Sequence, residues 1–245
     1  MSDTVRPFVA ADLAAHPERY FQRRYVWQWP IRVFHWINAV CIAMLFTTGL
    51  YIAWPGLAPA GEPWNHFVLG TVRKIHFAFA YIFLINFLWR IYWFYMGNNY
   101  ARSGFPFVWS PRWWGDLFRQ LWDYLRLRKG HIHIGHNALG GVMYTIFVIA
   151  LGWIQIFLGF ALYSEHNPNG FWGHALGWVI PLLGGSFQVH MWHHLVAWFF
   201  VFFTILHVYI VFYDGLQFKN GLVTSIVSGE KFYQEGDLDH ERWLS

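Results

Sequence analysis

The sequence predicts an all-α integral membrane protein, a four-transmembrane-helix bundle with an interfacial amphipathic helix between spans two and three. Three observations carry this. Four long stretches are almost free of charge. The chain of 245 residues is 56% hydrophobic and only 12% charged, against about 25% charged in a soluble domain. The cations are concentrated in alternate connections. Seventeen Trp, thirteen Tyr and twenty-five Phe suit aromatic belts at the two membrane surfaces and flat cofactors to pack against. The net charge of +4 follows from asymmetric loops, and no basic cluster stands apart from the spans, so a nucleic-acid partner is excluded. Cys41 is alone, which excludes an internal disulfide or a cysteine-held metal centre.

In chain order, residues 1–31 are polar, with Asp3, Asp12 and Glu18 and no apolar core of the kind a cleavable signal peptide has. Span one is expected over about 33–54, closing at Pro55-Gly56. Span two follows over about 75–95, interrupted only by Arg90, span three over about 138–163 and span four over about 189–213. Between spans two and three, Ser110-Pro111 reads as a helix start, serine as cap and proline at the first position. Trp113, Leu117, Leu121 and Leu125 recur every fourth residue, with Arg112, Arg119, Arg126 and Lys129 on the basic side. Residues 111–129 therefore read as an interfacial helix on the cytoplasmic leaflet; a helix packed on a soluble partner is the alternative. No internal repeat divides the chain, so 1–245 is one domain.

The connections set the orientation. Arg6, Arg19, Arg23, Arg24 and Arg32 precede span one, six cations lie in 98–136 and three follow Asp214. The other two connections hold only Arg73 and Lys74. By the positive-inside rule both termini and the long middle loop are cytoplasmic.

Span four carries His190, His193, His194 and His207, and polar groups at membrane depth usually mark a function. His193 and His207 are 14 residues apart, about 1400° of helix, within roughly 40° of four full turns. They share one face and lie about 21 Å apart along the axis. His35 sits near the cytoplasmic end of span one and His76 near the outer end of span two. His76 therefore matches the level of His193, and His35 that of His207. Two imidazole pairs at two depths are what two stacked low-spin b haems require, each iron taking one nitrogen from each of two facing helices. A lone histidine on an apolar helix is more often structural; the matched depths argue otherwise. The same interval from His35 reaches Gly49, where a porphyrin could lie against backbone or helices could simply pack closely. From His76 it reaches Arg90, which could meet a haem propionate or snorkel to the surface. Arg73, one turn before His76, is the corresponding candidate at the outer haem.

The runs IRVFHWIN, RKIHFAFAYIF, RIYW, IGHN, GFALYSEH, HMWHHL and LHVYI resemble the b-type cytochrome subunit of membrane-bound nickel–iron hydrogenases, from about Tyr25 to Gly229. That family is similar in outline to the cytochrome b subunit of formate dehydrogenases. The resemblance implies a dihaem anchor in the bacterial inner membrane. It would take electrons from the iron–sulfur small subunit of a periplasmic hydrogenase, reach the large subunit through it, and pass electrons to quinone. Such a chain is an electron-transfer subunit of a hydrogen:quinone oxidoreductase, with no hydrogen-activating site of its own. His35, His76, His193 and His207 match the family's haem-ligand segments; His190 and His194 have no place in that pattern.

Three other readings differ in what they require. The cytochrome subunit of another quinone-linked dehydrogenase, such as formate dehydrogenase, would use the same histidines. A membrane di-iron hydroxylase or desaturase would use His190-x-x-His193-His194 with His131, His133 and His136, but topology sets these on opposite sides. A non-redox helical anchor or transporter leaves the paired depths unexplained. For the quinone, the start of span three offers His136 as a proton donor and Asn137 as a hydrogen-bond donor, with Gly140 and Gly141 open to a ring. Ordinary helix capping by Asn137 is the competing explanation. The outer loop 164–189, with Glu165, His166 and Trp172, is expected to dock the electron-donating subunit.

Overall fold

The computed structural model describes residue 15 and residues 21–56, 67–105, 108–128 and 134–233. Arg6, Arg19, Lys129, His131 and His133 lie outside the described residues. Four helices are long and apolar enough to cross a membrane: α1 (Trp29–Ala53), α2 (Val68–Met96), the helical run Ala138–Ser164, and Ser186–Phe218. Hydrocarbon offers the backbone no hydrogen-bond partner, so stretches of this composition must satisfy every N–H and C=O within the helix. Two helices run well past the expected spans: α2 starts at Val68 rather than near Ile75, and the fourth span continues to Phe218 rather than ending near Tyr213.

Between α2 and the third span come the short α3 (Asn99–Arg102) and the amphipathic α4 (Pro111–Leu125). The third span opens as α5 (Ala138–Met143), passes through a π-helical turn at Tyr144–Ala150 and closes as α6 (Leu151–Ser164). Then come α7 (Phe171–Leu176), α8 (Val179–Leu182), the fourth span α9 (Ser186–Phe218) and α10 (Leu222–Ser228). Two four-residue strands, β1 (Gln22–Tyr25) and β2 (Glu230–Tyr233), pair antiparallel with Gln22 opposite Tyr233.

The chain forms two compact units. One gathers Met1–Arg32, Met96–Thr145 and His207–Ser245. Its small core is Val26, Trp27, Ile134 and Tyr233, closed by the β1–β2 pair and by the Val26 and Trp27 amides, which donate to the Gly229 carbonyl. Buried Lys231 lies over the Trp27 ring, 5.3 Å from its centre. α4 begins where expected, with Pro111 in its first turn and Ser110 at the cap position, though the serine side chain makes no capping bond. It is held by three polar contacts within this unit. Gln120 Oε1 accepts from the Leu139 amide at 3.1 Å. Tyr124 donates its hydroxyl to Asp214 Oδ2 at 2.6 Å, and the Asn137 side chain also bonds to Tyr124. Phe118, Leu121, Trp122 and Leu125 face outward.

Burial, followed by the hydrogen bond to Asp214, raises the Tyr124 pKa above the ordinary tyrosine value. A raised acid pKa means that the folded state holds its proton more tightly than the unfolded one. This contribution is complete below about pH 10 and is lost as the pH rises further. The docking of α4 is therefore expected to weaken in alkali, and Tyr124→Phe to remove that dependence. Limited proteolysis of the 126–134 connection against pH reads both; the same alkaline sensitivity in Tyr124→Phe would exclude this tyrosine as its source.

The second unit comprises Val33–Tyr95 and Ile146–Leu206. Its core runs along the facing sides of the spans, with Phe34, Cys41, Phe83, Phe87, Ile156, Phe160, Val196 and Phe200 buried together. α7 is fastened to it by Trp172, whose indole nitrogen donates to the Tyr81 hydroxyl at 2.7 Å and whose ring stacks on Phe160 at 4.0 Å. Trp172 thus packs inward; within 164–189, Phe171, Trp178 and Phe187 are exposed aromatics.

Candidate functional site: an imidazole pair in an apolar cavity

Within the second unit, α1, α2, α6 and α9 line a cavity of about 970 Å³, at the upper end of the size range for small-molecule and cofactor sites. Its wall is aromatic and aliphatic, with His76 from α2 and His193 from α9. Their ring centres are 6.5 Å apart at 68°. Two imidazoles that each bind one metal at about 2.0–2.1 Å place their ligating nitrogens about 4 Å apart and their ring centres about 6 Å apart. The pair is thus already at bridging distance.

The tautomers suit the same purpose. Thr48 donates its hydroxyl hydrogen to the Met44 carbonyl at 2.5 Å. Only lone pairs remain on Thr48 Oγ1, which lies 2.9 Å from His76 Nδ1, so Nδ1 carries the proton and Nε2 is left as a ligand atom. On the other side, the Gln155 amide nitrogen is 3.4 Å from His193 Nε2. His193 Nδ1 and Gln155 Oε1 are buried with no hydrogen-bond partner among the described residues. Buried polar atoms without partners are costly, and these two border the cavity.

Each ring lies against a glycine. A Cβ at Gly49 would stand 3.3 Å from His76 Cε1, and one at Gly159 only 3.1 Å from His193 Cε1. Gly49, expected to face a porphyrin, faces the histidine itself and also lines the cavity. Gly159 is its counterpart on α6. Among the described residues no group of three or more His, Cys, Asp or Glu is placed to hold a bare metal ion. Two nitrogens alone do not complete such a site, whereas a macrocycle that brings its own equatorial donors asks the protein for only two axial ones. The residues present fit haem.

The remaining polar side chains gather along the same lining: Arg73 and Lys74 on α2, Glu165, His166, His190 and His194. Helical phase alone sets His190 and His194 well away from the ligand face, yet the cavity is wide enough to reach both. His190 Nδ1 donates to the Ser186 carbonyl at 2.9 Å, and Ser186 Oγ donates to Glu165 Oε2 at 2.9 Å.

The other candidates are distributed as follows. His35 and Arg90 belong to the second unit and His207 to the first. Arg90 is 5% exposed, with its guanidinium 6.0 Å from the Phe34 ring centre, so it is turned into protein. Asn137 caps α5, its Oδ1 accepting from the Gly140 amide at 2.6 Å. His136 donates from Nδ1 to Ser103 Oγ, 3.1 Å away, since that hydroxyl gives its own hydrogen to Tyr100 O. Its ring lies between Trp27 and Tyr144. Gly141 abuts the Gly104 carbonyl, so its open face is already occupied by chain. The Asn137 amide nitrogen retains donor capacity.

Thr48, Gln155 and Gly159 escaped the sequence reading. The signal available was faint: a threonine immediately before Gly49, and a glutamine within an otherwise apolar run.

Four apolar spans around a facing imidazole pair define a membrane-bound b-type cytochrome. Residues 26–229 match the family model described as prokaryotic cytochrome b561, and the chain belongs to that family. It is 38% identical over 219 residues to a protein of Azotobacter chroococcum mcd 1 named "Probable Ni/Fe-hydrogenase B-type cytochrome subunit", covering 88% of this chain and 91% of the relative. A protein of the same name from Cupriavidus necator is 38% identical over 86% and 88% of the two chains. The "Probable Ni/Fe-hydrogenase 1 B-type cytochrome subunit" of Escherichia coli K12 is 32% identical over 89% and 94%.

Proposed function

We propose that the chain is a dihaem b-type cytochrome. It anchors a periplasmic nickel–iron hydrogenase to the bacterial inner membrane and carries electrons from the iron–sulfur small subunit to quinone. The observation that carries the cofactor reading is the His76–His193 pair at 6.5 Å across an apolar cavity. The names of the relatives support the hydrogenase partner.

Haem b, when bound, supplies reversible one-electron carriage. The protein's part is to hold and order the groups. His76 and His193 would hold one haem at the outer level, and His35 and His207 would hold the other at the inner level. The second pairing rests on the 14-residue interval along α9. Arg73, with Lys74 beside it, offers cations to the propionates of the outer group. Arg90 offers one at the inner level, where a buried guanidinium gains from an anionic partner. The aromatic and aliphatic part of the lining offers the haem an apolar surface. Both termini and α4 lie on the cytoplasmic side, with the outward aromatic face of α4 on the leaflet. Quinone takes its place near Asn137, whose amide donates to a carbonyl oxygen, with His136 as a proton donor. The outer loop 164–189 faces the hydrogenase small subunit.

The first test is the absorbance spectrum of the purified, dithionite-reduced protein. A sharp alpha band is expected, and its absence would refute the cofactor assignment. Gly159→Leu should remove the outer haem while leaving the helix content unchanged, because its side chain must occupy the space beside the His193 ring. Full haem content in that variant would show that Gly159 does not border the haem.

A further inference from the structure

We infer that Thr48 is a positioning residue for the outer haem, making His76 the stronger of its two axial donors and so lowering that haem's reduction potential. This rests on His76 being an axial ligand, as proposed above. The evidence is the direction of two hydrogen bonds. A threonine inside a helix commonly turns its hydroxyl back to the carbonyl four residues earlier, and Thr48 does so to Met44 at 2.5 Å. That contact alone would satisfy the side chain. Yet its oxygen also stands 2.9 Å from His76 Nδ1, on a different helix and at a position that is 8% exposed. With its single hydrogen spent, Oγ1 can only accept, so His76 donates to it beside the Leu45 carbonyl, to which the same ring also bonds.

Two consequences follow for this ring. Its tautomer is fixed with Nε2 unprotonated, and its orientation is held between the Thr48 oxygen and the bare backbone of Gly49, where a Cβ would come within 3.3 Å. Donation from the far nitrogen also makes an imidazole a more basic metal ligand. His193 lacks this support, since its Nδ1 has no hydrogen-bond partner among the described residues. A more basic axial nitrogen favours the ferric over the ferrous state. Thr48 thereby makes the outer haem a better donor to the next carrier than its bare ligand set would give.

The test uses the purified full-length protein with Thr48→Val, which keeps the shape and removes the hydroxyl acceptor while leaving the Leu45 carbonyl, Thr48→Ala, and Thr48→Ser, which restores the hydroxyl. The readouts are haem content and the midpoint potentials of both haems by spectroelectrochemical titration. The expected result is that Val and Ala each raise one midpoint, that of the haem lost in His76→Ala, while Ser stays at the wild-type value. If Val and Ala lose that haem and Ser retains it, the contact is needed for binding and the positioning role stands. Unchanged midpoints with full haem content in Val and Ala would overturn the inference, as would equal shifts of both midpoints or a Ser variant that behaves like Val. Failure of the underlying ligand assignment reads differently, as a His76→Ala protein that keeps both haems.

Discussion

Replacing His76 with alanine is expected to remove one haem b and leave the other bound, so that haem per chain falls by half. His193→Ala should lose the same haem, whereas His35→Ala and His207→Ala should each lose the other. The argument for the outer pair is geometric. The two rings come from different helices and stand 6.5 Å apart; His76 presents Nε2 as a lone pair, and His193 Nε2 faces the Gln155 amide nitrogen at 3.4 Å. A haem deprived of one of two axial nitrogens loses one of its two bonds to the protein. For the inner pair the argument is periodicity on one unbroken helix, Ser186–Phe218. In the complex with hydrogenase, His76→Ala should also leave the remaining haem poorly reduced by hydrogen while dithionite still reduces it, because the entry carrier is missing. Haem content and hydrogen-driven reduction, read together, check the pairing and the direction of transfer. Loss of the same haem in His76→Ala and His207→Ala would refute the pairing.

The second large effect is expected at Asn137. Asn137→Leu should retain both haems and their reduction by hydrogen. Its hydrogen-to-quinone turnover should fall by about tenfold or more, the effect of one lost hydrogen bond of roughly 1.4 kcal/mol or more. The structure adds a control that the sequence could not. Asn137 Oδ1 caps α5 through the Gly140 amide, so leucine also removes a cap that contributes about 1 kcal/mol. Asn137→Asp keeps the capping oxygen and removes the amide donor, including the bond to Tyr124, so Tyr124→Phe serves as the control for that lost bond. If turnover falls in Leu and is normal in Asp, the residue acts as a cap. A fall in both, with haems intact, supports quinone contact. Normal turnover in both removes Asn137 from the site.

What could be read from the sequence was what composition and regular spacing encode. A bilayer demands long uncharged runs, so the four spans were visible directly. The interval from His193 to His207 could be read because an α-helix has a fixed period. Features built from pairs distant in sequence were not legible. β1 and β2 are four residues each, and their pairing joins Gln22 to Tyr233 with no local signal for either strand. Trp172 appears in the sequence as an exposed loop aromatic, but its partners Tyr81 and Phe160 come from two other helices. The same holds at the site. Gln155 and Gly159 matter because α6 presents them to His193, and Thr48 because a hydroxyl with its hydrogen already spent faces His76. His190 and His194 line the same cavity although they lie off the His193–His207 face, because a cavity this wide is lined by more than one helix face.

The central claim is that one chain holds two haems b, one at each depth of the bundle. The most direct measurement is haem stoichiometry: pyridine haemochrome absorbance of the purified protein against its concentration from amino-acid analysis. The account predicts two haems b per chain, both reduced by dithionite. One haem per chain in fully loaded wild-type protein, retained in His35→Ala and His207→Ala and lost in His76→Ala, would contradict it and leave only the outer site.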